Sequence, residues 1–195
     1  MNKTIEYYNE NADRFVGDTQ TVSMSTIQSE FLELIPVGGL ILDFGCGSGR
    51  DSKVFKEAGY SVVPVDASLK MCEATQTLTG IQPICTTFQD FITDDRFDGI
   101  WACASLLHLQ LEEITSVIKR VSEFIKPGGC FYMSFKYGSF SGERNGRYFT
   151  DLNEDTLINI LSEVNSLSLI KTEITSDVRP RRENEKWLNC FCIKT

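Results

Sequence analysis

The sequence predicts an α/β fold in which helices cover both faces of a mostly parallel β-sheet. Up to about residue 135, short apolar runs alternate with polar, helix-like stretches. That alternation is typical of βαβ units. After residue 150, two long strand-like runs follow each other. We expect these two runs to pair as an antiparallel hairpin at an edge of the sheet.

Each element has its own signal in the chain. Helices are predicted over 3–16 and 22–34, the second ending at Pro36-Val37-Gly38-Gly39. Apolar runs predict strands at 40–44, 61–65, 81–85, 97–102 and 130–135. Further helices are predicted near 50–58, 68–78, 111–125 and 153–164, with Lys126-Pro127-Gly128-Gly129 closing the third of these. The segment 135–149 is predicted to be an extended polar loop, and the last strands are SLSLIKTEIT and KWLNCFCIK.

Length and composition restrict the class of protein. A chain of 195 residues is expected to form a single domain, 1–195, with a substantial core. No apolar run approaches the roughly 20 residues that span a bilayer, and the polar start lacks the apolar centre of a secretory signal. We therefore expect a cytoplasmic protein without a membrane partner.

Charge and cysteine content argue against two further classes. A net charge of −8 disfavours a protein that binds nucleic acid through its overall field. The seven cysteines contain no C-x-x-C pair, and the chain has one histidine. Because zinc sites draw on closely spaced cysteines and histidines, no metal is expected, and the thiols are interpreted as reduced core residues.

The segment ILDFGCGSGRDS, residues 41–52, carries the strongest functional signal. A buried strand leads into Asp43 and then into glycines at positions 45, 47 and 49. Glycines allow the backbone to turn sharply and to approach a ligand closely. The spacing is G-x-G-x-G, and Arg50 occupies the last glycine position of the dinucleotide fingerprint. Asp43 would repel a pyrophosphate, so the segment favours a nucleoside without phosphates.

Asp66 ends the next predicted strand, 17 residues beyond Gly49. An acid at this place can accept hydrogen bonds from both hydroxyl groups of a ribose. The alternative is an acid that stabilises the N-terminus of the following helix. The distance from the glycine segment favours the ribose role.

The chain resembles the class I S-adenosylmethionine-dependent methyltransferases, and small bacterial members of the tellurite-resistance type are the nearest in appearance. The resemblance rests on LDFGCGSG, VVPVDAS, FQDF, FDGIWACASLLHL and IKPGGCFYMSF, in this order. It implies a Rossmann-like class I methyltransferase fold: a seven-stranded, mostly parallel sheet with a C-terminal antiparallel hairpin. It also implies a helical cap over 1–36 and S-adenosyl-L-methionine as cofactor, with S-adenosyl-L-homocysteine as product.

The resemblance assigns roles to individual residues around the cofactor. Those beside the methionine and ribose would be Asp43, Gly45, Cys46, Gly47 and Gly49, with Asp66 on the ribose hydroxyls. Ala67 would contact the adenine. Many relatives place an acid and a small residue after the third strand, whereas this chain has Thr87, Phe88 and Gln89 there. The residues expected beneath the methionine are Ala102, Cys103, Ala104 and Ser105.

Candidate acceptor residues lie in four other segments. His108 has the side chain best suited to accept a proton at neutral pH, although packing in a loop is the alternative. Tyr7 and Tyr8 belong to a segment that closes over the cofactor in related enzymes, and helix packing is again the alternative. An anionic acceptor could be bound by Lys136, Tyr137, Arg144 and Arg147, and by Arg179, Arg181 and Arg182 in the next basic run. A solvated turn is the alternative for that run, and it explains Arg181 well.

The predicted function is methyl transfer by in-line displacement to a small acceptor, with a carboxylate, phosphate or chalcogen oxyanion as candidates. RNA or protein methylation is an alternative that the low pI weakens. A non-catalytic, cofactor-binding regulatory subunit is a second alternative. An NAD-dependent oxidoreductase is disfavoured by Arg50 in the glycine spacing.

Overall fold

The structure is a computed structural model that describes residues 3–179 and 182–195. Its main sheet has seven strands: β1 Leu40–Phe44, β2 Ser61–Asp66, β3 Ile84–Cys85, β4 Phe97–Ala102, β5 Ile125–Lys136, β8 Leu167–Ser176 and β9 Lys186–Lys194. Their order is β3-β2-β1-β4-β5-β9-β8. The first five strands are parallel, and β9 is antiparallel to both β5 and β8. The predicted mostly parallel sheet with a C-terminal hairpin is confirmed.

Helices cover both faces of this sheet. They are α1 Lys3–Glu10, α2 Ala12–Thr19, α3 Ser25–Glu33, α4 Arg50–Glu57, α5 Leu69–Thr79, α6 Leu111–Ser122 and α7 Glu154–Ser162. Neighbouring strand residues point to opposite faces: Ile41 joins a core cluster with α3 and α4, whereas Leu42 joins one with α6 and α7. None of the helices in the described part of the chain is long and apolar enough to cross a membrane.

The N-terminal segment 3–16 was predicted as one helix, and the structure has two. Asn11 separates α1 from α2. Its side-chain amide donates a hydrogen bond to the backbone oxygen of Tyr7, 2.9 Å away. The backbone amide of Asn11 also donates to Tyr7, but its φ of −112° and ψ of 22° lie outside the helical region. Beyond this break, α1 contacts the strand that follows the turn at Asn145.

The third predicted inter-strand helix, 111–125, also ends early. α6 stops at Ser122, and Lys126-Pro127-Gly128-Gly129 lies inside β5 and does not close the helix. The register between β4 and β5 jumps from the pair Phe97 and Ile125 to the pair Gly99 and Cys130. The segment is therefore an irregular bulge in a strand, where Pro and Gly are tolerated.

The prediction of an extended loop over 135–149 is wrong. A two-stranded hairpin occupies most of it, with β6 Ser141–Arg144 and β7 Arg147–Thr150. Asn145 and Gly146 form the turn, with φ of 52° and 78°. Two positive φ angles are what a tight hairpin turn requires, and Asn-Gly is its strongest sequence signal. The hairpin stands beside α1, near the carboxyl ends of the parallel strands.

Candidate active site

A cavity of about 580 Å³ opens at the carboxyl edge of the parallel strands. This volume lies within the usual range for small-molecule sites. Its floor comes from the segments that follow β1, β2, β3 and β4, and its other walls from α1, α2, β7 and the turn between β8 and β9. Open α/β sheets bind ligands at this edge because the strand order reverses there.

The glycine segment after β1 can adopt its path only because of its glycines. Gly45, Gly47 and Gly49 have φ of 94°, 54° and 79°, in the left-handed region. A Cβ on Gly45 would lie 2.3 Å from the Cβ of Ser105, and one on Gly49 would lie 2.9 Å from the Cα of Thr75. Side chains at these positions would therefore push the loop away from the segment after β4 and from α5.

The backbone amides of this loop are already used within the protein. Gly45 and Cys46 both donate to the backbone oxygen of Val65, and Gly49 donates to that of Cys46. The amide of Gly47 donates to Oδ2 of Asp66 at 2.9 Å. A phosphate-binding loop needs several free amides that point at the ligand. These four amides do not provide such a cradle, which agrees with a ligand that has no phosphate.

Asp66 lies in the cavity wall at the end of β2. Its oxygens accept hydrogen bonds from the amides of Gly47 and Ser68, both at 2.9 Å. Burial raises the pKa of Asp66, and these backbone bonds oppose the rise. A carboxylate offers about four acceptor positions, so positions remain for a diol. The amide bonds hold the group in place.

Asp43 does not reach the cavity. The side chain is 2% exposed, and Ser52 of α4 donates a hydrogen bond to its Oδ2 at 2.5 Å. Burial, together with the negative charge of Asp51, raises the pKa of Asp43 to about 8. The expectation of a contact with the cofactor is not supported by this placement, because β1 directs the side chain toward α4, behind the glycine loop.

Most other predicted cofactor residues do line the cavity. They are Gly45, Cys46, Gly47, Ala67, Thr87, Phe88, Gln89, Cys103, Ala104 and Ser105. Gly49 instead packs on Thr75, and Ala102 is fully buried in the core. The amide group of Gln89 is engaged, since its Nε2 donates to Glu113 at 3.1 Å. Phe88 packs on Phe44 with ring centroids 4.6 Å apart.

Several cavity residues were missed by sequence reasoning. Arg50 and Asp51, at the start of α4, form a two-bond ion pair at 2.8 Å, and both line the cavity. Phe15 of α2 lies over Gly47, 3.4 Å from the position of a Cβ there. Met71 lines the wall beside Ala67. Arg50 follows the last glycine directly, which is the one sequence signal that could have found it.

Most of the predicted acceptor-binding cations are already paired with carboxylates. Arg179 makes a two-bond pair with buried Asp177, at 2.9 and 2.5 Å. The remaining pairs are Lys136 with Glu185, Arg182 with Glu185, and Arg144 with Asp151. Lys136, Arg179 and Arg182 line the cavity, Arg144 does not, and Arg181 lies outside the described residues. Pairing makes these side chains weaker candidates for anion binding.

Arg147 differs from these cations. Within residues 3–179 and 182–195, no carboxylate lies within ion-pair distance of its guanidinium. The group sits over the rings of Tyr7, Tyr8 and Phe149, with centroids at 4.6, 5.6 and 5.1 Å. Its buried Nε has no hydrogen-bond partner among the described residues, and the side chain lines the cavity. In the described part of the chain, this cation is therefore not paired with a carboxylate.

Tyr8 and His108 meet beside Arg147. The hydroxyl oxygen of Tyr8 is 2.8 Å from Nε2 of His108, and Nη1 of Arg147 donates to that oxygen at 3.2 Å. All three side chains line the cavity. Tyr137 was predicted among them, yet it is largely exposed and lies outside the cavity wall, with Glu154 as hydrogen-bond partner. Tyr7 is outside the wall too, against Gly146.

The chain is similar in sequence to known methyltransferases. Residues 41–129 match a family model described as a methyltransferase domain. The chain is 32% identical over 101 residues to the cypemycin N-terminal methyltransferase of a Streptomyces species, covering 49% of this chain and 41% of that protein. It is 25% identical over 193 residues to glycine N-methyltransferase of Mus musculus, covering 84% and 66%. The chain thus spans about half the length of the curated relatives it matches.

Among solved structures, the fold is similar to that of 1,6-didemethyltoxoflavin-N1-methyltransferase from Burkholderia thailandensis. The TM-score is 0.77 at 18% sequence identity, and the match covers 98% of this chain and 87% of the other. That protein was crystallised with 1,6-didemethyltoxoflavin and S-adenosylhomocysteine bound. At this identity the likeness concerns the fold.

Proposed function

We propose that the chain is a class I S-adenosylmethionine-dependent methyltransferase that transfers a methyl group from S-adenosylmethionine to a small anionic acceptor. The match of residues 41–129 to a methyltransferase-domain model and the similarity of the fold support this proposal. One observation carries the proposal. Asp66 offers its carboxylate to the cavity beside a glycine loop whose amides are internally bonded. This combination suits a ribose that carries no phosphate.

The residues present fit that cofactor. Asp66 would accept hydrogen bonds from the two ribose hydroxyls, and the backbone of Gly45 to Gly47 would lie along the ribose and methionine. Ala67, Phe88 and Gln89 would border the adenine. The start of α4, where the helix dipole favours an anion, would lie near the methionine carboxylate. Cys103 to Ser105 would lie next to the sulfur.

The cofactor supplies an activated methyl group on a sulfonium sulfur. The protein then has to align the acceptor with that carbon and to exclude water. Tyr8, His108 and Arg147, from three separate segments of the chain, are among the side chains that border the remaining part of the cavity. They therefore contribute to the choice of acceptor.

Arg147 supports an anionic acceptor. A guanidinium without a carboxylate partner is ready to form two parallel hydrogen bonds with a carboxylate or phosphate. Lys136 and Arg179 would instead have to give up an existing ion pair. We therefore expect one dominant anion contact and not a basic patch.

The test is a turnover assay with S-adenosylmethionine and a panel of matched small acceptors, with and without a carboxylate or phosphate group. Release of S-adenosylhomocysteine should depend on the anionic members. Arg147→Met should raise the acceptor KM at least tenfold, about 1.4 kcal/mol, while S-adenosylhomocysteine affinity stays within about twofold. Arg182→Met, at an already paired position, is the control. Equal turnover of neutral and anionic members would contradict the anion contact.

A further inference from the structure

The single histidine has both ring nitrogens engaged, and this fixes where its proton lies. Nδ1 of His108 is 2.7 Å from the backbone oxygen of Tyr148. Because a carbonyl oxygen can only accept, Nδ1 carries the hydrogen. In the neutral ring, Nε2 then presents a lone pair, and it faces the hydroxyl of Tyr8 at 2.8 Å.

The ring is neutral at physiological pH. Burial lowers the pKa of His108 to about 4, against the opposite effect of the bond to Tyr148, and the charge of Arg147 lowers it further. The hydroxyl of Tyr8 must therefore donate its hydrogen to Nε2. Its oxygen accepts from Nη1 of Arg147 at 3.2 Å. Tyr8 lines the cavity where the acceptor is expected.

We propose that Tyr8 takes the proton of the acceptor and at the same time passes its own proton to His108, so that the acceptor attacks through an atom that bears a hydrogen at neutral pH. This inference rests on the proposed methyl transfer. It specifies the acceptor further, as a small anion with a hydroxyl or amino group next to the charge. The adjacency follows from the 3.2 Å between Arg147 and the Tyr8 oxygen.

The step balances. The acceptor atom forms a bond to the methyl carbon, and the carbon–sulfur bond breaks with its electron pair left on sulfur. The acceptor proton moves to the Tyr8 oxygen, and the Tyr8 proton moves to Nε2 of His108. Tyr8 is then the catalytic residue, because it contacts the acceptor. His108 is a positioning residue that acts through Tyr8 and receives the proton of Tyr8. A direct contact of His108 with the acceptor is not expected, because both nitrogens are occupied.

The groups around this pair keep the proton on Tyr8 while the acceptor is absent. Arg147 on β7 faces both Tyr8 and His108, and Asp66 and Tyr7 act on Tyr8 from β2 and α1. Burial raises the pKa of Tyr8, with Asp66 and Tyr7 adding to the rise, and the guanidinium of Arg147 opposes it. An acceptor anion bound to Arg147 would neutralise the cation, and this would make His108 easier to protonate.

The presence of one histidine in the chain makes a direct test possible. Nitrogen NMR of protein labelled with ¹⁵N-histidine yields a single pair of ring signals. At pH 7 we expect a protonated Nδ1 and a lone-pair Nε2, with conversion to imidazolium only below about pH 5. Tyr8→Phe should shift the Nε2 signal because its hydrogen bond is lost, and Tyr7→Phe, which keeps Tyr8, should not.

A protonated Nε2 at pH 7, or an Nε2 signal that Tyr8→Phe leaves in place, would overturn the relay. Calorimetry with S-adenosylhomocysteine on the same samples keeps the two proposals apart. No binding by the wild type overturns the methyl transfer, whereas normal binding with the wrong tautomer overturns the relay alone.

Turnover on an active member of the acceptor panel adds a second readout. General acid–base groups typically contribute 10²- to 10⁴-fold, so Tyr8→Phe should lower kcat about 100-fold with the KM for S-adenosylmethionine within twofold. In wild type, kcat should fall as His108 becomes protonated. In His108→Gln, the glutamine side chain can accept a hydrogen bond but takes up no proton. The low-pH limb of the profile, in which kcat falls, should therefore disappear in this variant. An unchanged limb would contradict the role of His108.

Discussion

Asp43 and Asp66 lie near the carboxyl ends of neighbouring strands, but their surroundings differ. Asp66 faces the cavity, where two amides hold its carboxylate, and Asp43 is enclosed beneath the loop against Ser52. The sequence placed both acids near the cofactor because both follow apolar runs beside the glycines. It could not show that β1 directs Asp43 to the opposite side, since that depends on how α4 packs.

The same change to asparagine should therefore have unequal effects. Asp66→Asn removes the charge from two expected ribose hydrogen bonds, each worth roughly 1.5–3 kcal/mol. Affinity for S-adenosylhomocysteine should fall at least tenfold in calorimetry. Asp43→Asn replaces a group that is already largely protonated at neutral pH and should stay within about threefold, roughly 0.7 kcal/mol. A larger loss in Asp43→Asn would place the ligand nearer to Asp43.

Asp43 also predicts a pH dependence of stability. The pKa of Asp43 is about 8 in the folded protein and 3.8 in the unfolded chain. Between these pH values, Asp43 therefore carries a proton in the folded protein and is ionised in the unfolded chain. Stability from this group is complete below pH 3.8 and is lost as pH rises through 8. Between pH 6.5 and 8, the free energy of unfolding should fall by roughly 1–2 kcal/mol more in wild type than in Asp43→Asn.

Denaturant titrations at several pH values check this difference. The range above pH 6.5 is chosen because His108 is neutral there in the folded state and less than half protonated in the unfolded state. Its contribution has the opposite sign and is shared by the two proteins, so the comparison removes it. Parallel stability curves for the two proteins would mean that Asp43 is ionised in its buried site.

Among the elements, the glycine loop was predictable and the hairpin β6–β7 was not. The loop is marked by three glycines after an apolar run, within a short stretch of sequence. The hairpin is marked by Asn145-Gly146, but its strands are short and polar, so no alternation of apolar residues revealed them. Its contacts with α1, such as that of Arg147 with Tyr8, join residues 139 positions apart, which local patterns cannot show.

The glycine loop leads to a prediction about the stability of two glycine variants. Gly45→Ala forces a Cβ to within 2.3 Å of Ser105, and Gly59→Ala has nothing within 4 Å, although both glycines have positive φ, 94° and 89°. The two variants share the backbone strain and differ in the clash. Gly45→Ala should lower the free energy of unfolding by about 2 kcal/mol more, as measured in urea. Equal losses would mean that Ser105 moves aside without cost.

Over the whole molecule, the order of elements predicted the sheet and the edge at which the cavity lies. The net charge of the chain did not predict which cations of the cavity wall are free to bind an anion. The chain carries −8 overall, but most cations in the cavity wall are neutralised locally by carboxylates, and Arg147 keeps its charge. Pairing of this kind depends on side-chain geometry. The segment 177–189 therefore resembled an anion-binding patch in sequence, whereas Arg179 and Arg182, its arginines within the described residues, are paired with Asp177 and Glu185.

We propose that the cavity binds a nucleoside without phosphates at Asp66 and the glycine loop. Parallel calorimetric titrations of the wild-type chain with S-adenosylhomocysteine and with NAD would distinguish this ligand from a dinucleotide. We expect S-adenosylhomocysteine to bind at micromolar concentration and NAD not to bind, because the four loop amides are already hydrogen-bonded. Tight binding of NAD, or no binding of S-adenosylhomocysteine, would contradict it.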